Sequence, residues 1–415
     1  MINRFKPISI SLSPNVQKDD VRLALKLIFQ PWKWKNGKAI KRLEDQFKKY
    51  LGVKYAFSFN SGRSAFFAIL KAVEQEKASD ALLQAVTCNA VPNPSLWAGL
   101  KPIYVDCRND YNIDVEDLKK KITLNTNVLV VQHTFGLPAN MNDILKLAKE
   151  NNITVIEDCA HALGAEFEGK KLGTMGKAGF FSFSRDKVIS CVYGGMAVTN
   201  DDQIGKKLEE LQKQWGKPSL FWTRQQLVHP IILSYIILPL YSFLDLGKIV
   251  LILSQWIHLL SKAVSWKEKR GLKPDYFPKA LPNALALMAE RQFGKLHLFY
   301  DHRHELSQYY YQELQNTAFV LPDMRQKQSF LRFVVQHPKA HDIIYTAWHK
   351  ENMLIGDWYT TAIAPDDTSM EEMKYEEGSC KNAEALAKIT LNLPTHINIS
   401  MKDAKRIVDF LKKYK

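Results

Sequence analysis

The chain has 415 residues, of which 46% are hydrophobic and 24% charged, a balance that is typical of a globular protein of two or three domains. Its formal net charge of +14 suits nucleic acid, an anionic membrane surface or acidic small molecules, but the sequence has no nucleic-acid-binding motif, so we expect no nucleic-acid partner. The five cysteines form no Cys-x-x-Cys pair, which argues against a disulfide scaffold or a metal site and favours a reducing compartment.

Strand and helix patterns alternate from about residue 38 to residue 200. The runs that predict strands are YAFSF (55–59), ALLQAV (81–86), KPIYVD (101–106), NVLVVQH (127–133), ITVIED (153–158), GFFSFS (179–184) and GGMAVTN (194–200). Helical apolar spacing occurs in AIKRLEDQFKKYLG (39–52), SGRSAFFAILKAVE (61–74), VEDLKKKI (115–122) and MNDILKLAKENN (141–152). This alternation predicts an α/β fold with a mostly parallel sheet, which binds its ligands at the carboxyl ends of the strands.

The alternation stops after Asp202, where a helical pattern leads into a long apolar stretch. No formally charged residue occurs from Leu227 to Leu244, and a second apolar run covers residues 249–260. The first run contains two prolines, and the second is shorter than the roughly 20 residues that cross a bilayer. Residues 227–260 therefore form either a buried helical hairpin or a hairpin that lies on a membrane surface. In the second case nearby basic residues meet anionic headgroups, namely Lys262, Lys267, Lys269 and Arg270.

The remaining chain begins with a long, aromatic-rich helical pattern at residues 279–314. Strand and helix patterns then mix up to the C-terminus, which is typical of a smaller α+β domain. We predict three parts: an N-terminal segment and large cofactor-binding domain (1–205), an apolar helical hairpin insertion (206–275), and an interdomain helix with a small C-terminal domain (276–415).

Lys187 stands between two apolar runs in FFSFSRDKVISCVYGGM (180–196). A buried ammonium group is costly unless it is paired or deprotonated, and burial lowers its pKa, which frees the amine for covalent chemistry. A loop lysine with its amine in water is the more common situation for such a stretch taken by itself.

Two further stretches suit the binding of a phosphate and of a cation. In FNSGRSAFFAIL (59–70) a helix start with Ser61, Gly62 and Ser64 suits a phosphate, and Arg63 adds charge; a capped helix with nothing bound is the alternative. In VIEDCAHALGA (155–165), Asp158 stands at the end of a strand, where its carboxylate either holds a cation or caps the next helix. His161 follows three residues later and either contacts a ring or is packed in the interior.

A phosphate site, a carboxylate and a lysine in this order are the parts that pyridoxal 5′-phosphate requires. The lysine binds the cofactor covalently, the carboxylate keeps the pyridine nitrogen protonated, and the helix start holds the phosphate. Together the three stretches make Lys187 a stronger candidate for a functional residue than it is by itself.

The chain resembles the DegT/StrS family of pyridoxal-phosphate-dependent sugar aminotransferases, which have fold type I. Residues 133–187 and 193–201 carry the resemblance most specifically, and residues 380–400 carry it weakly. The resemblance implies that Asp158 pairs with the pyridine nitrogen, that His161 lies near the ring oxygen, and that Ser182 contacts the phosphate. It also implies that Lys187 is the catalytic, cofactor-binding lysine and that the turn at 62–64 holds the phosphate.

The sequence departs from the family pattern at four places. Arg63 replaces the usual threonine, and Cys88 stands where the family has an aromatic residue stacked on the cofactor ring. The Asn-x-Arg-Met motif, whose asparagine reaches the partner subunit's phosphate, is missing. The hairpin is far longer than the family's usual connection.

From the resemblance we expect an aminotransferase that converts a nucleotide-linked keto sugar to an amino sugar, with glutamate as donor, in cell-surface polysaccharide or glycoconjugate biosynthesis. We also expect a homodimer in the cytoplasm, with peripheral attachment to the inner face of the membrane through residues 227–260. A lyase of the same fold type and a non-catalytic, membrane-associated regulatory protein stay open as alternatives. Lys187 argues against the dehydratase branch of the family, which has histidine there.

Overall fold

A seven-stranded β-sheet lies at the centre of the molecule. The computed structural model describes residues 6–73, 79–324 and 327–414. The β-strands span Ile8–Ser9 (β1), Tyr55–Phe59 (β2), Asp80–Gln84 (β3), Thr87–Cys88 (β4), Lys101–Val105 (β5), Thr126–Gln132 (β6), Thr154–Asp158 (β7), Glu166–Phe167 (β8), Lys170–Lys171 (β9), Ala178–Ser182 (β10), Gly195–Thr199 (β11), Phe333–Gln336 (β12), Met353–Leu354 (β13), Ile363–Ala364 (β14) and Thr390–Leu393 (β15). The α-helices span Lys18–Ile28 (α1), Ala39–Leu51 (α2), Gly62–Ala72 (α3), Pro92–Ala98 (α4), Val115–Lys121 (α5), Met141–Glu150 (α6), Asp202–Trp215 (α7), Leu220–Ile232 (α8), Leu246–Trp256 (α9), Asn283–Phe293 (α10), Leu296–Leu314 (α11), Ala340–Glu351 (α12), Lys381–Ile389 (α13) and Met401–Leu411 (α14).

The central sheet has the strand order β2-β11-β10-β7-β6-β3-β5. Strands β10, β7, β6, β3 and β5 pair in parallel, and β11 runs antiparallel to both of its neighbours. The predicted α/β fold with a mostly parallel sheet is therefore confirmed. Because Gln132 pairs with Asp158 and Asp158 pairs with Phe180, the carboxyl ends of β6, β7 and β10 meet at one edge of the sheet.

The predicted elements of the large domain occur within two residues of their expected ends wherever the structure describes them. Helix α2 shows why, since Ala39, Leu43, Phe47 and Leu51 recur at helical spacing on its buried face. The helix ends at Gly52, whose φ of 73° continues the chain in the left-handed region. The predicted helix end at Glu74 and the end of the helical pattern MKDAKRIVDFLKKYK (401–415) lie outside the described residues.

The C-terminal part differs from the sequence prediction in two places. The single helical pattern at 279–314 forms two helices, α10 and α11, which are separated at Gly294 and Lys295. The run SFLRFVVQH (329–337) is a strand pattern, and the strand is shorter in the structure, where β12 pairs with β15 over Phe333–Gln336. A separate apolar cluster, which includes Tyr310 and Phe333, holds this part together. The division into three domains stays a prediction.

Within the apolar hairpin, helix α8 is packed, whereas the turn that follows it and helix α9 leave apolar side chains exposed. Helix α8 contacts α1 and continues through a π-helical turn, Leu233–Ile237, whose two end residues are buried. By contrast, α9 leaves Trp256 78% exposed and Ile252 65% exposed. Other large apolar side chains of the hairpin are exposed as well: Tyr235, Ile236, Phe243, Leu244, Leu246, Ile249, Leu253 and Ile257. None of the helices among the described residues is both long enough and apolar enough to cross a membrane.

The stem that follows the hairpin, residues 261–275, is held against helix α3 by a buried ion pair. Glu268 is fully buried and forms the pair with Arg63, whose side chain is 8% exposed. The guanidinium also donates to the carbonyl of Ala263 at 3.1 Å and lies 4.7 Å from the ring centroid of Phe277. The positive charge of Arg63 is therefore balanced within the chain.

Replacing Glu268→Gln should lower the free energy of unfolding by about 3–5 kcal/mol, because it leaves a buried guanidinium without its carboxylate. Chemical denaturation followed by tryptophan fluorescence measures the loss. The control is Glu116→Gln, which breaks the exposed pair with Lys119 and should cost about 0–1 kcal/mol. Equal losses in the two variants would contradict the role given to Glu268.

Candidate active site

A cavity of about 160 Å³ lies at the carboxyl edge of the central sheet. Of the nine residues that the sequence singles out, eight line this cavity: Ser61, Gly62, Arg63, Cys88, Asp158, His161, Ser182 and Lys187. The ninth, Ser64, is fully buried and lies directly behind the wall, where it contacts Ser61. Strand ends and loops that are far apart in the sequence thus meet at one place, as the parallel sheet requires.

Lys187 lies on the loop between β10 and β11, and its side chain is partly buried in the cavity. Burial lowers the pKa of Lys187 to about 8, while the nearby Cys88 and Asp158 act in the opposite direction. The Nζ atom lies 5.0 Å from the ring centroid of Trp358. Asn15 fixes the loop by donating from its side-chain amide to the carbonyls of Lys187 and Val188. The amine is thus held in the cavity and is readily deprotonated.

Asp158 ends β7 and is 3% exposed. Burial raises the pKa of its carboxyl to about 6, although the N–H of Ala160 donates to Oδ1 at 2.9 Å and Lys187 attracts the negative charge. Among the described residues, the structure records no ion pair for this carboxylate. A buried carboxylate that lacks a bound cation suits the protonated nitrogen of a pyridine ring.

His161 is held as a neutral ring between aromatic neighbours. The N–H of Phe135 donates to its Nδ1 at 3.2 Å, so the proton of the neutral ring lies on Nε2, 3.5 Å from the Tyr359 hydroxyl. Burial holds the pKa of His161 well below its usual value. Its ring stacks on Trp358 at 5.5 Å and on Phe135 at 6.1 Å, with interplanar angles of 14° and 20°. The stack fixes the orientation of the imidazole beside the cavity.

The start of helix α3 forms an anion cradle. Ser61 is the N-cap and accepts from the N–H of Ser64 at 2.9 Å. The N–H groups of Gly62 and Arg63, in the first turn, have no intrahelical partners. A Cβ on Gly62 would lie 2.9 Å from the Cβ of Ser182, so glycine allows β10 to approach the helix start. The cradle therefore consists of backbone N–H groups and the Ser182 hydroxyl, whereas the charge of Arg63 is balanced by Glu268. That Arg63 binds the cofactor stays a prediction.

Aromatic side chains reach the cavity from a segment that the sequence did not single out. Cys88 ends β4 and presents no ring, but β4 pairs with β14, and the chain just before β14 places Trp358 and Tyr359 in the cavity wall. The guanidinium of Arg332, which is buried, lies 3.3 Å from the ring centroid of Trp358. An adjacent Trp-Tyr pair in a polar stretch is the signal that could have pointed to these residues.

The hairpin stem also reaches the cavity, since Ala263 and Val264 line it beside Arg185. The cavity thus combines a lysine of lowered pKa, a buried carboxylate without a cation and a helix start with free N–H groups. This set fits pyridoxal phosphate at each of its three functional groups.

A family model described as the DegT/DnrJ/EryC1/StrS aminotransferase family matches residues 15–227 and 272–412. The unmatched residues between these segments, 228–271, contain most of the hairpin and its stem. A GDP-perosamine synthase of Caulobacter vibrioides is 32% identical over 210 residues, which are 50% of this chain and 56% of that protein. A UDP-N-acetyl-3-dehydro-alpha-D-glucosamine 3-aminotransferase of Acidithiobacillus ferrooxidans is 25% identical over 379 residues, which are 91% and 89% of the two chains.

Among solved structures, PseC of Helicobacter pylori, an aminotransferase involved in the biosynthesis of pseudoaminic acid, superposes with a TM-score of 0.76. The two chains are 22% identical, and the match covers 98% of this chain and 99% of that one. This similarity confirms fold type I. The chain spans about half the length of the first curated relatives it matches.

Since burial lowers the pKa of Lys187 to about 8, the protein without cofactor should capture pyridoxal phosphate faster as the pH rises, with a plateau above about pH 8. The amine reacts only when neutral, and above its pKa most of it is neutral. Stopped-flow absorbance measures the rate. Nα-acetyl-lysine in solution, whose ε-amine is free, is the control for the ionisation of the cofactor. Lys187→Ala should show no capture. A rate that keeps rising up to pH 10, as for acetyl-lysine, would contradict a buried amine.

Proposed function

The chain belongs to the DegT/DnrJ/EryC1/StrS aminotransferase family, and we propose that it is a pyridoxal-phosphate-dependent aminotransferase that converts a keto sugar to an amino sugar. The observation that carries the proposal is the arrangement of Lys187, Asp158 and the start of α3 around one cavity. Pyridoxal phosphate is the cofactor of this family, and a relative in Bacillus subtilis is described as a putative pyridoxal phosphate-dependent aminotransferase.

Lys187, Asp158, Ser182 and the start of α3 each have a defined part in this reaction. When bound, pyridoxal phosphate supplies an electron sink for the bond that breaks at the donor's α-carbon. Near pH 8 the Nζ atom of Lys187 is neutral for much of the time. It accepts the proton from the donor's α-carbon and donates it to the C4′ atom of the cofactor. The carboxylate of Asp158 holds a proton on the pyridine nitrogen. The N–H groups at the start of α3 and the Ser182 hydroxyl hold the phosphate.

The proposed acceptor is a keto sugar joined to a nucleotide, with glutamate as the proposed donor. Support comes from relatives named for GDP-perosamine and UDP-linked amino sugars, and from a spore coat polysaccharide biosynthesis protein of Bacillus subtilis that is 28% identical over 223 residues. We place the reaction in polysaccharide or glycoconjugate biosynthesis on the same basis.

The test is a donor half-reaction. Purified protein with bound pyridoxal phosphate is mixed with single amino acids, and the loss of the lysine-bound absorbance reports transfer of the amino group to the cofactor. We expect glutamate to give complete conversion in wild type and none in Lys187→Ala. Release of ammonia together with the keto acid, with the lysine-bound absorbance restored, would favour a lyase, because a transaminase half-reaction keeps the amino group on the cofactor. No conversion with any donor would contradict the proposal.

A homodimer with its sites near the subunit interface is the proposed assembly. It rests on the resemblance to the family. Because the Asn-x-Arg-Met motif is missing, any contact between one subunit and the cofactor phosphate of the other uses other residues. Sedimentation of the protein at assay concentration tests it, and a strictly monomeric active species would contradict it.

A membrane surface is the proposed partner of the hairpin, at residues 227–260. The exposed face of α9 carries Ile252, Leu253 and Trp256, and an apolar face of this kind is a liability on a monomer in water. The exposed Lys262 lies just after the hairpin and forms no ion pair recorded in the described part of the chain. Two of the other basic residues expected to meet the headgroups, Lys267 and Lys269, form ion pairs with Asp275 and Asp367. Anionic headgroups complement the charge of Lys262, and tryptophan suits the interface. A cytoplasmic enzyme bound to the inner face of the membrane is the corresponding location.

Vesicle co-sedimentation tests the hairpin. Wild type should pellet with anionic vesicles at low salt, and the triple variant Ile252→Gln, Leu253→Gln, Trp256→Gln should lose most of this binding. The matched control carries three exposed apolar replacements elsewhere, Leu124→Gln, Val320→Gln and Tyr345→Gln, and should bind like wild type. If wild type stays in the supernatant, the membrane proposal is wrong. If the hairpin variant changes the oligomeric state instead, the exposed face meets a second copy of the chain.

A further inference from the structure

Three cations line the active-site cavity, and they differ in how their charge is balanced. Arg63 forms the buried ion pair with Glu268, and Lys187 is the proposed covalent residue. Arg185 lines the same cavity but forms no ion pair in the described ranges 6–73, 79–324 and 327–414. The adjacent Asp186 acts on it through space without contact. Arg185 is thus a cation of this cavity that has no carboxylate in contact among the described residues and no covalent part in the proposed reaction.

The guanidinium of Arg185 is held in place by neutral groups. Its Nη2 donates to the carbonyl of Ser261 at 2.6 Å and to the Ser261 hydroxyl at 2.7 Å. That hydroxyl donates in turn to the side-chain amide oxygen of Gln226 at 2.8 Å, so the acceptor is itself oriented. The Arg185 side chain also lies over the ring of Tyr193, at 5.6 Å from the ring centroid.

A buried donor of this guanidinium is unused. The Nε atom of Arg185 is buried and makes no hydrogen bond to any residue that the structure describes. Burial also lowers the pKa of Arg185, which shows that the charged form is deprived of water. A desolvated guanidinium with an unused N–H and no carboxylate in contact is costly, and an oxyanion is the ligand that such a charged donor favours.

We propose that Arg185, held by Ser261 of the hairpin stem, is an anion subsite that binds a charged group of the substrate. Arg185 lies two residues from Lys187, so the two Cα atoms are at most about 7 Å apart, which is the reach of one small substrate. The inference rests on the proposed function, because it gives the substrate of that reaction an anionic group. Two groups fit this chemistry: a carboxylate of the amino-acid donor, or the diphosphate that carries the sugar.

The subsite depends on a segment that the family model does not match. Ser261 lies within residues 228–271, which the two matched segments leave out. The same stem accepts a hydrogen bond from the Tyr193 hydroxyl at the carbonyl of Ala263, at 3.2 Å. The insertion therefore shapes the cavity wall in addition to forming the exposed apolar face, and we assign the orientation of Arg185 to it.

Calorimetric titration of the cofactor-loaded protein with two probes tests the subsite. Glutarate represents the donor's carboxylates, and inorganic pyrophosphate represents the sugar's diphosphate. Arg185→Met should weaken one of the two probes by about tenfold or more, since hydrogen bonds to a charged group contribute about 1.5–3 kcal/mol. The probe that is weakened identifies the source. Ser261→Ala should weaken the same probe by a smaller factor, and Arg185→Lys should fall between wild type and Arg185→Met.

Control measurements separate this role from a structural one. Arg224→Met removes an exposed arginine of α8 and should bind both probes like wild type. The affinity for pyridoxal phosphate should be the same in all variants. If Arg185→Met binds both probes like wild type, or loses the cofactor by the same factor as a probe, the subsite is wrong. The titration needs no turnover, so it tests the subsite separately from the reaction. If the probes bind through Arg185 but the donor half-reaction shows no amino transfer, the proposed function is wrong and the subsite stands.

Discussion

Removal of a lysine amine from water is the constraint on which the site depends. The parallel pairing of β6, β7 and β10 brings their carboxyl ends to one edge, and the cavity there desolvates whatever side chains the strand ends and loops carry. Desolvation shifts two pKa values toward each other, lowering that of Lys187 to about 8 and raising that of Asp158 to about 6. One physical cause thus prepares both a nucleophilic amine and a carboxylate that gains from a bound cation.

The insertion changes the electrostatics of this edge. Its stem brings Glu268 to Arg63, so the cation that the sequence places at the phosphate cradle is already neutralised. The cradle then depends on backbone N–H groups and hydroxyls, which bind an anion without a full positive charge. The same stem holds Arg185 through neutral acceptors, and its charge remains available to a ligand. The stem that follows the hairpin therefore forms part of the cavity wall.

Local patterns predicted the large domain because its elements bury continuous apolar runs or single helical faces. Its strands and the residues Lys187 and Asp158 follow from such patterns together with the family resemblance. Contacts between distant segments could not be predicted in this way. Trp358 lies about 170 residues after Lys187, and it reaches the cavity because β14 pairs with β4. Nor does an unbroken helical pattern reveal the break at Gly294, which depends on how α10 and α11 pack.

The hairpin shows the limit of composition as a guide. Its apolar runs suit a buried hairpin and a surface hairpin equally well. Whether an arm is buried depends on whether another part of the chain packs against it. Helix α8 finds a partner in α1, whereas α9 keeps Ile252 and Trp256 in contact with solvent. Two arms of similar composition thus have different surroundings, which no pattern within either arm determines.

Reductive trapping identifies the lysine that binds the cofactor. Borohydride treatment of the protein with bound pyridoxal phosphate fixes the cofactor to the lysine that holds it, and mass spectrometry of the peptides then identifies that lysine. The account predicts one label for each chain, on Lys187, with no label on Lys187→Ala. A label on another lysine in wild type, or stoichiometric labelling of Lys187→Ala, would contradict it.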